Sequence, residues 1–168
     1  ENKLRINVEA DTQEIPDQVL EKVVAYEMLE NVFFWCRNRD VMKRIRSLEP
    51  DAQLMATRWM FPDLESTIAD YQANIVEYEL GRDAFSEIPK CQSLGVKAMA
   101  FSLTHDPEKL RKIQAINADL VNLDRPDLFK LLSLYPQSLR SWTRFYDMSL
   151  NIDAGRRQED GREARSVF

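Results

Sequence analysis

Residues Val96–Ile113, VKAMAFSLTHDPEKLRKI, decide the fold. VKAMAFS is an apolar run of strand length, and it lacks the strict alternation of a strand with one wet face. Such runs read as strands buried on both sides, as in a parallel sheet. SLTH then turns the chain. Asp106 can cap a helix through its carboxylate, and Pro107 fits the first helical position, where its missing N–H costs nothing. EKLRKI continues with helical spacing. The stretch is one strand–turn–helix unit, long enough for a right-handed crossover.

The same unit recurs on either side of it. Apolar runs begin near Leu4 (LRINVEA), Asn31 (NVFFWC), Gln53 (QLMATRW), Asn74 (NIVEYE), Val96 and Asp119 (DLVNL), at spacings of 27, 22, 21, 22 and 23 residues. Helix signals lie between them. Pro16 opens QVLEKVVAYEML, with Val19, Val23 and Tyr26 expected on one face. Asn38 or Asp40 can cap VMKRIRSL, Pro62 precedes DLESTIADY, and Asp124 with Pro126 opens DLFKLL. Six βα units at a near-constant period leave an open doubly wound sheet or six parts of an eight-unit barrel. A complete (β/α)8 barrel usually takes about 250 residues, more than this chain has. A dinucleotide-binding sheet needs a Gly-rich first turn. The four glycines, Gly81, Gly95, Gly155 and Gly161, make neither G-x-G-x-x-G nor a P-loop.

Beyond Leu134 the pattern changes. Leu139, Trp142, Phe145 and Tyr146 have helical spacing, so 135–150 is expected to be a terminal helix packing on the body. Residues 151–168 are nearly devoid of apolar side chains and are expected to be a disordered tail.

Composition narrows the function. Of 168 residues, 23 are basic and 28 acidic, for a net charge of −5, with no Lys/Arg block. That argues against an electrostatic nucleic-acid binder. No apolar run has the roughly 18–20 residues of a membrane span. Cys36 and Cys91 cannot build a disulfide framework or a zinc site by themselves. His105 is the only histidine, so no mechanism drawing two histidines from this sequence is available. The start at Glu1, close to a strand-like run and without a signal peptide, suggests a fragment or processed product. It leaves the compartment open, with the cytoplasm as default.

In parallel βα folds the chemistry stands at the carboxyl ends of strands. Those ends hold Glu9 and Asp11, Cys36 and Arg37, Arg58 and Trp59, Glu77 and Glu79, Ser102 to His105, and Asp124. Glu9 closes an otherwise buried run, and a buried carboxylate needs a cation or a basic partner. Glu77 and Glu79 flank Tyr78 and share one side of their strand. Like charges on one face repel unless a cation or an arginine intervenes, and an ion pair with Arg58 or Arg82 is the simpler expectation. Cys36 has arginines nearby that favour a thiolate, although a small buried thiol is the commoner outcome. His105 is expected in a solvated loop. Trp59 and Phe101 could wall a pocket, and core packing is the usual alternative.

Four segments in register carry a family resemblance: RINVEAD at 5–11, VMKRIRSLEPDAQL at 41–54, SLGVKAMAFSLTHDPEKLRKI at 93–113 and ADLVNLDRPDLF at 118–129. Together they resemble the C-terminal two-thirds of the glycerophosphodiester phosphodiesterase family over about residues 4–134. The resemblance implies an α/β fold of TIM-barrel (β/α)8 type. Residues 1–134 would form a partial barrel domain carrying strands three to eight. It also implies metal-dependent hydrolysis of glycerophosphodiesters to glycerol 3-phosphate and an alcohol, with Mg or Ca as the divalent cation. Glu9 falls at a metal-carboxylate position, and Phe101 stands where the family has a tryptophan lining the substrate pocket. With Trp59 and Glu77 it is the expected substrate contact.

The sequence departs from the family in several places. Asp11 replaces a lysine, Cys36 and Arg37 replace Ser-Phe, and Asn117 and Leu120 replace glycines. The family's first two strands carry an H-R-G motif, a Glu and an Asp that bind metal, and an H-D motif. None of these occurs at those positions here, and the one His-Asp pair, His105-Asp106, is on the wrong strand, so this chain alone is expected to be inactive. The expected partners are a small-molecule substrate and, since a partial barrel leaves unpaired edges, an oligomer or a complementary N-terminal fragment. The competing expectations are a non-catalytic barrel-derived binding or scaffold protein, and a sphingomyelinase D-like or phospholipase C-like barrel phosphodiesterase.

Overall fold

The computed structural model describes residues 6–9 and 15–134. Six strands form within the six apolar runs: β1 (Ile6–Glu9), β2 (Val32–Trp35), β3 (Met55–Thr57), β4 (Ile75–Glu79), β5 (Lys97–Ser102) and β6 (Leu120–Leu123). Each is followed by a helix: α1 (Ile15–Ala25), α2 (Arg39–Leu48), α3 (Leu64–Tyr71), α4 (Ile88–Ser93), α5 (Pro107–Ala115) and α6 (Pro126–Leu134). Every strand pair is parallel. β1 pairs with β2, and β3 to β6 pair in order; a bridge between Phe34 and Leu54 links the two sets. Strand order therefore follows chain order without reversal. A doubly wound sheet reverses at its switch point, so the order is that of a barrel wall.

The two faces of the sheet differ. On the convex face, Leu20 and Val23 of α1 and Val41, Met42 and Ile45 of α2 pack on Val32, Phe34, Leu54 and Ala56. Ile88 and Cys91 of α4 cover Val76, Tyr78 and Ala98, and Leu110, Ile113, Leu128 and Leu132 of α5 and α6 cover Ala100. The concave face has a cluster made of strand residues alone, Phe33, Met55, Ile75 and Met99, with Trp35 and Leu120 against it. A layer of side chains from successive strands is how a barrel interior fills.

Local signals explain the helix starts. Asn38 caps α2 by accepting from the Asp40 N–H at 3.0 Å. Asp63 caps α3 through the Ser66 N–H at 2.7 Å, and Asp106 caps α5 through the Glu108 N–H at 2.9 Å. Two expectations change. Tyr26 lies past the end of α1 and is 75% exposed; the buried stripe is Leu20 and Val23, and Glu27 ends the helix with φ 55°. β6 is not buried on both sides: Val121 is 43% exposed, since β6 has no partner beyond it among the described residues. Asn117, where the family has a glycine, takes φ 56°. Asparagine tolerates this left-handed region better than most residues, so the backbone path survives the substitution. The helix expected at 135–150 and the tail at 151–168 lie outside the described residues.

Arg46 ties the amino-terminal edge of the sheet together. Its guanidinium donates to the carbonyls of Pro50, Ala52 and Gln72 and to Asn74 Oδ1. These groups lie on the two segments that lead into β3 and β4. The opposite rim, at the carboxyl ends of the strands, is where parallel βα folds place their functional side chains.

Candidate functional site

Side chains alternate along a strand, so Thr57, Glu77, Phe101 and Asn122 follow Met55, Ile75, Met99 and Leu120 onto the concave face near the carboxyl ends. A polar file runs across that face. Trp35 Nε1 donates to Thr57 Oγ1 at 3.0 Å, Thr57 Oγ1 lies 3.5 Å from Glu77 Oε2, and Asn122 Nδ2 donates to Glu77 Oε1 at 3.2 Å. Four strands thereby meet at one carboxylate that is only 6% exposed.

Burial pushes Glu77 above the usual carboxylate range. The bonds from Asn122 and Thr57 oppose the shift, and the negative charges of Glu79 and Asp83 add to it. Asp83 is also raised, chiefly by burial, although its Oδ2 accepts the Glu79 N–H at 2.7 Å. The mouth is thus rich in acids held close together.

The ion pairs around it differ in part from expectation. Arg82 does pair with Glu79, at 3.5 Å. Arg58 goes instead to Glu87, at 2.6 Å, because the turn after β3 carries it toward the start of α4. Glu77 takes neither arginine and is satisfied by neutral donors. Trp59 sits in the 3-10 turn after β3, with the Arg82 guanidinium stacked 3.7 Å over its ring. Phe101 is half-buried between Glu79 and Asn122 in the strand register.

Glu9 ends β1 in register with Trp35. Asp11 lies outside the described residues. Cys36 is buried, its Sγ accepting the Asn38 N–H at 3.3 Å, which makes it part of the packing under α2. His105 is exposed in the turn between β5 and α5. Sequence reasoning missed Thr57 and Asn122, two uncharged residues with no motif around them. Their signal was positional: both sit on the inward parity at strand ends.

Hard oxygen donors such as Glu77, Thr57 and Asn122 suit Mg²⁺ or Ca²⁺ rather than softer metals. Yet both Glu77 oxygens already have donors, and no group of three or more His, Cys, Asp or Glu able to hold a metal exists among the described residues. These residues therefore do not complete a cation site by themselves.

Neither a family model nor a curated protein sequence matches the chain. Solved structures do. A glycerophosphodiester phosphodiesterase from Agrobacterium tumefaciens str. C58 is 21% identical with a TM-score of 0.66, over 77% of this chain and 55% of that one. One from Parabacteroides distasonis ATCC 8503 is 16% identical with a TM-score of 0.61, over 81% and 60%. An Oleispira antarctica phosphodiesterase, solved with the product sn-glycerol-3-phosphate, is 13% identical with a TM-score of 0.58, over 75% and 53%. The chain thus spans little more than half the length of these proteins. The likeness shows the fold, six βα units arranged as in the glycerophosphodiester phosphodiesterase TIM barrels. The resemblance read from residues 4–134 points to the same family.

Proposed function

We propose that the chain carries the later part of a metal-dependent glycerophosphodiester phosphodiesterase site, releasing glycerol 3-phosphate and an alcohol. The observation that carries this reading is the polar file ending at the buried Glu77 on the concave face. It stands where a barrel of this type binds its substrate. The fold likeness supports it.

In this reading Glu77 and Asn122 contact the glycerol hydroxyls, while Phe101 and Trp59 wall the pocket and exclude water. The reaction is in-line attack of water on phosphorus with loss of the alcohol. A divalent cation, Mg or Ca, would be held by Glu9 together with carboxylates from outside this sequence, and would polarise the phosphoryl oxygens. Proton transfer is unprovided for here, because His105 is exposed on the β5–α5 turn. General acid–base help is worth about 10²–10⁴ in rate. The purified chain is therefore expected to release no glycerol 3-phosphate from glycerophosphodiesters with Mg²⁺ or Ca²⁺ present. Release that a chelator abolishes would contradict this.

A second reading, a barrel-derived binding protein without turnover, is favoured by one observation: no H-R-G occurs in the sequence, and its single His-Asp pair, His105-Asp106, stands in the turn between β5 and α5 rather than on an early strand. It predicts substrate binding that persists with no hydrolysis after the missing units are supplied.

A further inference from the structure

On the other side of the same rim, a cleft of about 460 Å³ opens between the turn after β4 and the start of α5. Gly81, Ser102, Leu103, Thr104, Lys109 and Lys112 line it. Ser102 has the parity of Ala98 and Ala100, so the cleft is on the convex, helix-bearing face and is separate from the Glu77 file. In a protein of net charge −5, this cleft has two cations and no carboxylate among its lining residues. Lys109 and Lys112 are one helical turn apart, so their ammonium groups serve one surface. Neither makes an ion pair among the described residues.

Two acids lie close by: Asp106, the N-cap, is committed to capping α5 through the Glu108 N–H, and Glu108, on the helix four residues before Lys112, makes no ion pair with either lysine among the described residues. Two hydroxyls complete the lining. Ser102 Oγ accepts the Thr104 N–H at 3.3 Å and Thr104 Oγ1 accepts the Asp106 N–H at 3.1 Å, and each keeps its own proton to donate. Gly81, with φ 87°, makes the turn, and the space where a Cβ would stand is empty. A small polyanion can therefore approach the backbone there. Paired ammonium groups with hydroxyl donors and an open glycine turn match a tetrahedral oxyanion.

We propose that this cleft binds a phosphate-bearing group, either a free phosphate or the terminal phosphate of a phosphorylated alcohol portion of the substrate. Free-phosphate binding does not depend on the hydrolytic reading, because it needs no cation and no turnover; the assignment to a substrate head group rests on that reading.

The test titrates inorganic phosphate into the 168-residue chain, followed by calorimetry and by amide chemical shifts. Saturable binding with shifts centred on Gly81, Leu103 and Thr104 is expected. Lys109→Gln with Lys112→Gln lowers the affinity at least about tenfold, the value of lost charge-assisted hydrogen bonds. Lys43→Gln, whose ammonium pairs with Asp70 on another surface, leaves it unchanged. Circular dichroism verifies that α5 is intact. A glycerophosphodiester with a phosphorylated alcohol separates the two sources. Tighter binding than phosphate, lost in the double variant, assigns the head group; equal affinity assigns the free anion. Non-saturating shifts spread over all lysines, or undiminished phosphate affinity in the double variant, would overturn the proposal. Absence of hydrolysis would count only against the catalytic reading.

Discussion

Asn122 Nδ2 on β6 donates to Glu77 Oε1 on β4 at 3.2 Å, reaching across the intervening β5. The bond fastens the outermost described strand to the middle of the sheet through the concave face. It also supplies one of the two neutral donors that keep a buried carboxylate tolerable.

Removing that donor exposes its value. Asn122→Ala leaves Glu77 with only the 3.5 Å contact from Thr57. The expected loss is about 1.5–3 kcal/mol of folding stability at pH 8, the usual worth of a hydrogen bond to a charged group. Urea denaturation measures it. In a Glu77→Gln background the same substitution costs less, because the acceptor is then neutral.

Glu77 itself sets a pH dependence. Its folded pKa is above its unfolded value, mainly because of burial. Between those two values the folded state binds more protons, so stability falls as pH rises through the window. Glu77→Gln removes the window and preserves the shape. The variant is expected to melt above the wild type at pH 8, with the gap narrowing toward pH 4. A gap independent of pH would show that Glu77 carries no desolvation penalty.

Arg46 makes a prediction at the opposite rim. Its planar fork reaches three carbonyls and one side-chain amide oxygen, which the point charge of a lysine cannot match. Arg46→Lys is expected to cost about 1–3 kcal/mol in denaturant titrations. Phosphate binding at Lys109 and Lys112 stays unchanged, since those residues are at the carboxyl-end rim.

The fold was more legible than the site, for a physical reason. Runs such as NIVEYE and VKAMAFS are buried on both faces, and that double burial is written in consecutive residues. Caps such as Asp106 and Asn38 act within three residues of themselves. The weaker inferences involved contacts far apart in sequence. Nothing near Arg58 announces that it reaches Glu87, 29 positions away. Nothing near Asn122 announces Glu77, 45 positions away. Tyr26 fits a helical stripe on paper, yet the chain leaves the helix at Glu27 through a left-handed residue. The shared side of Glu77 and Glu79 is legible from the alternation along the strand, but the neutral partners of Glu77 depend on strand register.

In the proposed function, this rim belongs to a phosphodiesterase site in which Glu9 would be a metal carboxylate. That reading is tested most directly by placing the two amino-terminal βα units of the Agrobacterium tumefaciens enzyme ahead of Glu1. Glycerol 3-phosphate release is then measured with Mg²⁺ or Ca²⁺, for Glu9 and for Glu9→Gln, in fusions that melt cooperatively. The Glu9 fusion is expected to show chelator-sensitive release. In Glu9→Gln, turnover drops at least about 10²-fold and calorimetric metal affinity falls with it. A folded Glu9 fusion that binds substrate without releasing product, or a Glu9→Gln fusion with unchanged turnover and metal affinity, would contradict it.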